Sequence, residues 1–370
     1  MRYRAAVIGC GKIGSDNADD PRVPGIYSHA GAYVACPATE LIALCDSDAA
    51  KLERCGRRWQ VADCYRDARQ LLAEVKPDIV SICTPDATHA DLLRLVLAAP
   101  GIRAVLAEKP LATDLQSARQ IVKLAEDNRI VLAVNYSRRY AASHNQLKEF
   151  LQSGGIGAMQ TVGGYYTKGT LHNGSHWFDL ARFLVGPVSR VWGRDALRES
   201  GDDPTLDAFL EFAGGASGHL QACTAQAFSL FEMDLIGSKG RVRLVDFGNT
   251  IEFYEVAESR DYTGYQTLVL KERKQDGLRD VLLHAVADLV HCLNTGSRPR
   301  CDGADGIAAL EIALAVRESA ASGRIVSMGL RTTTPRGQRH DDCRAEGAVS
   351  ATGLPDHPEC SDHKTGTGAA

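Results

Sequence analysis

Lys109 ends the apolar run Val105-Leu106-Ala107, with Glu108 before it and Pro110 fixing the chain behind it. An amine is thus held at the carboxyl end of a segment that reads as a buried strand. Oxidising a secondary alcohol removes a hydride and a proton from one carbinol, so a site for it needs a base and a cation near the developing alkoxide. A lysine in this position can serve; an ordinary exposed lysine is the bland alternative. Upstream, Gly9-Cys10-Gly11-Lys12-Ile13-Gly14 follows the strand-like Ala5-Ala6-Val7-Ile8. Glycines at that spacing permit a tight turn whose backbone N–H groups and helix start meet a pyrophosphate. In a chain of 370 residues with 35 glycines the pattern has little specificity alone. Paired with Lys109, it places the lysine where a nicotinamide would sit.

Three further features bear on the chemistry. Asp46 ends Leu44-Cys45-Asp46, where a carboxylate can accept both ribose hydroxyls and would repel a 2′-phosphate, so it favours NAD over NADP; an N-cap role is the alternative. Its distance from the glycines exceeds the usual ~20 residues. An inserted stretch from Ser15 to Ser28, with Asp16, Asp19, Asp20, Pro21 and Pro24, accounts for the excess. That loop is expected over the cofactor or the substrate mouth, with a surface loop of no function as the other possibility. Finally, Asn173-Gly174 signals a turn, and Asn173 or Ser175 can cap a helix whose apolar stripe is Trp177, Leu180, Ala181 and Leu184. His176 and Asp179 share its other face and can point together into a cleft, although a histidine beside a cap is often structural.

The glycine turn and Glu108-Lys109-Pro110 together resemble the glucose-fructose oxidoreductase and inositol dehydrogenase family (Gfo/Idh/MocA). The resemblance continues in Thr84-Pro85, His89, Asn135, Arg138 and Gly174-Ser175-His176-Trp177-Phe178-Asp179. It implies a dehydrogenase that moves a hydride between NAD, or less readily NADP, and a secondary alcohol or ketone of a sugar, nucleotide-sugar or cyclitol. Lys109 and His176 would be catalytic. The cofactor would lie along Gly9, Gly11, Lys12, Ile13, Gly14, Asp46, Thr84, Pro85, His89, Glu108, Lys109 and Asn135. Lys109, Arg138, Tyr166, Lys168, His172, Asn173, His176 and Asp179 would face the substrate, while Arg139 reads as a surface charge. The chain departs from the family at His172, where relatives generally carry Asp four residues before the catalytic histidine. An imidazole cannot reproduce a permanent anion. A regulator that binds NAD and a sugar without turnover is therefore the rival reading.

The elements that must position these residues fall into two textures. From Arg4 to about Tyr140, short apolar runs (5–9, 41–45, 79–83, 104–107, 131–135) alternate with amphipathic stretches, the pattern of a Rossmann dinucleotide-binding domain with a parallel sheet. A helix over 143–152 then leads to period-two segments (159–166, 208–212, 218–224, 232–236, 241–245, 250–254), which predict an α+β domain with a largely antiparallel open sheet. A helix over 175–184 interrupts it, and two helices around Leu278–Leu293 and Ile307–Leu314 close it. The expected division is 1–140, 141–330 and a disordered tail, 331–370, whose His340, Cys343, His357, Cys360 and His363 fit no standard metal module.

Composition bounds the rest. A hydrophobic content of 44% with 24% charged residues is that of a soluble globular protein, and a net charge of −4 with dispersed basic residues suggests neither nucleic-acid nor membrane partners. The eleven cysteines form no C-x-x-C, and Met1-Arg2-Tyr3-Arg4 runs directly into the first strand, which together predict a reduced, cytoplasmic protein without disulfides. The uncovered face of the second sheet predicts a homodimer or homotetramer.

Overall fold

The structure is a computed structural model and describes residues 2–23 and 25–329. The expected tail and its histidines and cysteines lie outside the described residues. Strands β1 (Tyr3–Ile8), β2 (Thr39–Cys45), β3 (Asp63–Tyr65), β4 (Ile79–Ile82), β5 (Ala104–Ala107) and β6 (Val131–Val134) form a 6-stranded parallel sheet in the order β3-β2-β1-β4-β5-β6. Helices α1 (His29–Ala35), α2 (Ala49–Trp59), α3 (Ala68–Val75), α4 (Asp86–Leu97) and α5 (Leu115–Asp127) connect them. The central strands are covered on both faces, which is why they read as continuous apolar runs: Val7, Val80, Ile82 and Val105 are fully buried. Carboxylates cap the helices, with Asp48, Asp67 and Asp114 accepting N–H groups at the starts of α2, α3 and α5. The strand order reverses between β1 and β4, so a crevice opens beyond their carboxyl ends. Strand β3 escapes the sequence reading because Asp63-Cys64-Tyr65 is short, polar and at the sheet edge.

Helix α6 (Ala142–Gln152) leads into the second sheet. Its strands are β7 (Met159–Tyr166), β8 (Val188–Arg194), β9 (Asp207–Phe212), β10 (Ser217–Ala222), β11 (Phe231–Gly237), β12 (Gly240–Val245), β13 (Thr250–Glu258), β14 (Gln266–Lys274) and β15 (Val326–Ser327). The order is β14-β13-β12-β11-β7-β10-β9-β8-β15; only the β7–β10 pair is parallel. The sheet is therefore mixed and largely antiparallel, as the period-two segments predict. Strand β8 is hidden from that pattern by a register shift between Val188 and Arg190, and β14 by exposure on both faces.

Three helices complete the fold: α7 (Ser175–Leu184), α8 (Val281–Thr295) and α9 (Gly303–Ser322). Helix α9 packs on β8 and α7, but α8 lies against α1, β5 and β6, on the first sheet rather than the second. Among the described residues no helix is long and apolar enough to cross a membrane.

Candidate active site

The glycine turn is shaped by close backbone approach. Gly9 has φ +103°, and a Cβ there would meet the Cys83 carbonyl oxygen at 2.5 Å; one on Gly14 would run into the Gly9 carbonyl oxygen. A Cβ on Gly11 would meet nothing within 4 Å, so the backbone there is open to close approach. Helical bonds begin at once, with Ser15 N–H donating to the Gly11 carbonyl at 2.8 Å and Asn17 N–H to that of Lys12 at 2.8 Å. The chain then departs through the inserted loop and rejoins the same turn, where His29 N–H donates to the Ile13 carbonyl and Ala30 N–H to that of Gly14, both at 3.0 Å. The insertion is thus spliced into the first turn of a helix, which explains the long interval before Asp46. The Asp46 carboxylate accepts the Cys10 N–H at 2.7 Å and the Asp48 N–H at 2.8 Å; Asp48, not Asp46, caps α2.

Where β1, β4, β5 and β6 end, a cleft of about 280 Å³ opens. Ile13, Thr84, Glu108, Lys109 and Asn135 line it from the first sheet, His172 and His176 from the approach to α7 and its first turn. His89, from the first turn of α4, lines it too, and Tyr27, Asp86 and Ser137, none of which is singled out by the sequence, complete the wall. The Asn135 amide donates to Glu108 Oε1 at 2.5 Å, while its own oxygen is buried without a partner. An open glycine backbone, a carboxylate beside the turn and an unpaired acceptor at the strand ends fit a dinucleotide laid along this edge.

Lys109 is buried, 6% exposed, and its ammonium donates to the His172 carbonyl at 3.0 Å with His172 Nδ1 at 3.3 Å. Burial lowers its pKa, against the opposing charges of Glu108, Asp86 and Asp203. Glu108 is held by a buried chain: Tyr33 Oη and Ser81 Oγ are 2.8 Å apart, Ser81 Oγ and His29 Nδ1 2.9 Å, and His29 Nε2 and Glu108 Oε1 3.1 Å. Burial alone would raise the Glu108 carboxyl, but His29, Asn135 and Lys109 outweigh it and hold the pKa down. Burial, reinforced by Lys109, Arg138 and His172, pushes the His176 imidazole well below its usual value. The ring stands edge-on to Tyr136 and leaves Nδ1 buried without a partner.

His172 sits on a π-helical turn, Gly169–Gly174, that leads into α7; Gly174 precedes the helix and no side chain caps it. The Asp203 carboxylate fixes this turn by accepting the Leu171 and His172 N–H groups at 2.8 and 2.9 Å. Across the cleft mouth, His172 Nδ1 faces Asp86 Oδ2 at 3.9 Å. Burial raises the Asp86 carboxyl, yet the His172 contact and the Lys109 and His89 charges bring it below its ordinary value.

Several expected site residues are placed elsewhere. Tyr166 is buried, its phenol donating to the Leu206 carbonyl at 2.8 Å and lying 3.0 Å from Thr170 Oγ1, so it is not available to substrate. Asp179 does not share the cleft with His176: it is 2% exposed and accepts the Arg139 guanidinium at 2.8–3.0 Å. Arg139 is accordingly no surface charge but a buried cation that also pairs with Asp305 at 3.0 Å. Asn173 caps nothing; its amide donates to the Thr167 carbonyl at 2.9 Å. Lys168 is exposed in a left-handed conformation, and Lys12 is exposed in the glycine turn. His89, by contrast, lines the cleft, and it straps two turns together, its ring nitrogens 2.6 Å from the Pro110 carbonyl oxygen and 2.7 Å from that of Thr84. Pro85 precedes α4. Arg138 is buried over the Phe231 ring at 3.8 Å and donates to the Phe247 carbonyl, and burial lowers its pKa to about 10.

Comparison with known proteins agrees with this geometry. Residues 3–136 match the oxidoreductase family described by its NAD-binding Rossmann fold, and residues 167–243 match the GFO/IDH/MocA C-terminal domain. D-apiose dehydrogenase of Paraburkholderia graminis is 26% identical, covering 88% of this chain and 90% of that protein. Inositol 2-dehydrogenase of Rhizobium meliloti is 25% identical, covering 89% of this chain and all of its own length (100%). The crystal structure of the WlbA dehydrogenase from Bordetella pertussis, solved with NADH and UDP-GlcNAcA, superposes with a TM-score of 0.73 at 23% identity, covering 90% of this chain and 100% of that one. The chain belongs to the GFO/IDH/MocA oxidoreductase family, with an NAD-binding Rossmann fold followed by that family's C-terminal domain.

Proposed function

We propose that this chain is an NAD-dependent dehydrogenase acting on a secondary alcohol of a sugar, nucleotide-linked sugar or cyclitol. The observation that carries the reading is Lys109, a buried amine at the end of β5 that shares one cleft with the imidazoles of His172 and His176. Bound NAD supplies the hydride acceptor. The open backbone of Gly11, the Asp46 carboxylate and the free oxygen of Asn135 are the groups that would hold it. Lys109 places positive charge beside the carbinol oxygen as its proton leaves. His176, kept neutral by burial, is available to accept that proton. Glu108, fixed by His29 and Asn135, offsets the cost of burying the lysine charge.

The relatives named as D-apiose and inositol 2-dehydrogenases, and the WlbA dehydrogenase bound to a nucleotide sugar, support this substrate class. A regulator on the same fold would keep the cofactor edge without turnover; Lys109 and His176 together in one cleft favour the enzyme. Transfer of deuterium from the carbinol carbon of a labelled polyol to NAD tests the reading: labelled reduced nicotinamide supports it, and NAD binding without transfer from any polyol removes it.

We also infer that the open face of the second sheet pairs with another copy of the chain. Tyr165, Trp192 and Phe209 stand on it at 45%, 41% and 43% exposure, and Trp192 and Phe209 are register partners. Nine described cysteines are free thiols, which suits a cytoplasmic setting.

A further inference from the structure

We propose that Tyr27, carried by the inserted loop, is a substrate-binding residue whose phenol hydrogen-bonds a hydroxyl of the polyol held at Lys109. This rests on the dehydrogenase reading for its choice of ligand, though not for its test. The loop is held at both ends and along its length. Trp59 donates to Ser15 Oγ at 2.9 Å, Arg58 donates to the Ala18 carbonyl at 2.7 Å, and Arg54 faces Asp16 at 3.8 Å, so α2 anchors the outgoing limb. On the returning limb, Ile26 N–H donates to Asp280 Oδ1 at 2.8 Å, and Ser28 is fully buried as the cap of α1, accepting the Gly31 N–H at 3.2 Å. Tyr27 lies between those two fixed points. Its backbone is set by the residues on either side, and Tyr27 is part of the wall that contains Lys109, His172 and His176.

The phenol has the chemistry for the task. The hydroxyls of Tyr33, Tyr140 and Tyr166 are each committed to a protein partner, whereas among the described residues none hydrogen-bonds those of Tyr27 and Tyr136, and of these two only Tyr27 lines the cleft. It can both donate to and accept from a sugar hydroxyl, and its ring offers an apolar face to the C–H side of the same sugar. The first domain thus contributes, through its insertion, a ligand-facing group opposite the histidines of the second.

Binding, rather than turnover, separates this proposal from the reading on which it rests. Calorimetric titration of myo-inositol, D-glucose and methyl β-D-glucoside into the NADH complex of the full chain would be compared for the unmodified protein and Tyr27→Phe. Losing one neutral hydrogen bond predicts about three- to tenfold weaker binding of whichever polyol binds, and Tyr27→Ala, which also removes the ring, a larger loss. NADH affinity and melting temperature should be those of the unmodified protein. Equal polyol affinities in both proteins, an equal fall in NADH affinity, or no polyol binding by the unmodified protein would each overturn the assignment. Failure of turnover with binding still weakened by Tyr27→Phe would remove the dehydrogenase reading and leave Tyr27 in place.

Discussion

Nζ of Lys109 lies 3.3 Å from Nδ1 of His172, and that imidazole nitrogen faces the Asp86 carboxylate at 3.9 Å. One imidazole nitrogen is therefore within reach of both the buried amine and the Asp86 carboxylate, at a position where the family resemblance implies a carboxylate. In His172→Asp an anion would adjoin Lys109 and come closer to His176, favouring the protonated form of each. Both pKa values, now lowered by burial, would rise. A base that stays protonated to higher pH moves the acidic limb of kcat/KM against pH upward, with activity retained. An unmoved limb would show that His172 is not coupled to the proton-handling groups.

Lys109→Ala should lower turnover by about 10²–10⁴ while changing the NAD dissociation constant little, since the amine contributes to the reacting centre rather than to the pyrophosphate edge. His176→Ala should lower turnover by about the same factor if it takes the carbinol proton. Steady-state rates beside fluorescence-quenching titrations of NAD separate the two effects. Full turnover in His176→Ala would leave Lys109 as the proton acceptor.

Asp46 should make NAD bind more tightly than NADP, because its carboxylate sits beside the glycine turn, bonded to the Cys10 N–H, where a 2′-phosphate would meet like charge. Asp46→Asn should narrow the preference. Tighter NADP binding by the unmodified protein would contradict the assignment.

The Arg139–Asp179 pair is a stability element. Arg139→Ala leaves a buried carboxylate without its principal partner and should cost about 3–5 kcal/mol of unfolding free energy in urea titrations. A loss below ~1 kcal/mol, the usual worth of an exposed pair, would mean that the pair is not desolvated as described.

How far the sequence reveals this site depends on whether each residue is placed locally or by packing. Lys109, the glycines and His176 are legible because each sits at a fixed offset from a strand end or a helix start. Arg139 and Asp179 are not: 40 residues separate them, and only the docking of α7 beside the turn after β6 buries both. Tyr166 is hidden for another reason. Adjacent residues in a strand point to opposite faces, so Tyr165 is exposed and Tyr166 is sealed in the core, and which face is which follows from sheet packing. Asp203 lies in an irregular segment with no periodicity to mark it. Tyr27 had one available signal, an aromatic residue immediately before the Ser28 cap of a helix whose start had been moved by an insertion.

Lys109 is the centre of the proposed oxidising site, and the absorbance of reduced nicotinamide tests that role most directly. The full chain and Lys109→Ala would each be incubated with NAD and a panel of free sugars, nucleotide sugars and cyclitols. The unmodified protein should reduce NAD with at least one of them, and Lys109→Ala should slow that reaction by about 10² or more. NAD binding with no reduction by any member of the panel, or undiminished reduction by Lys109→Ala, would contradict it.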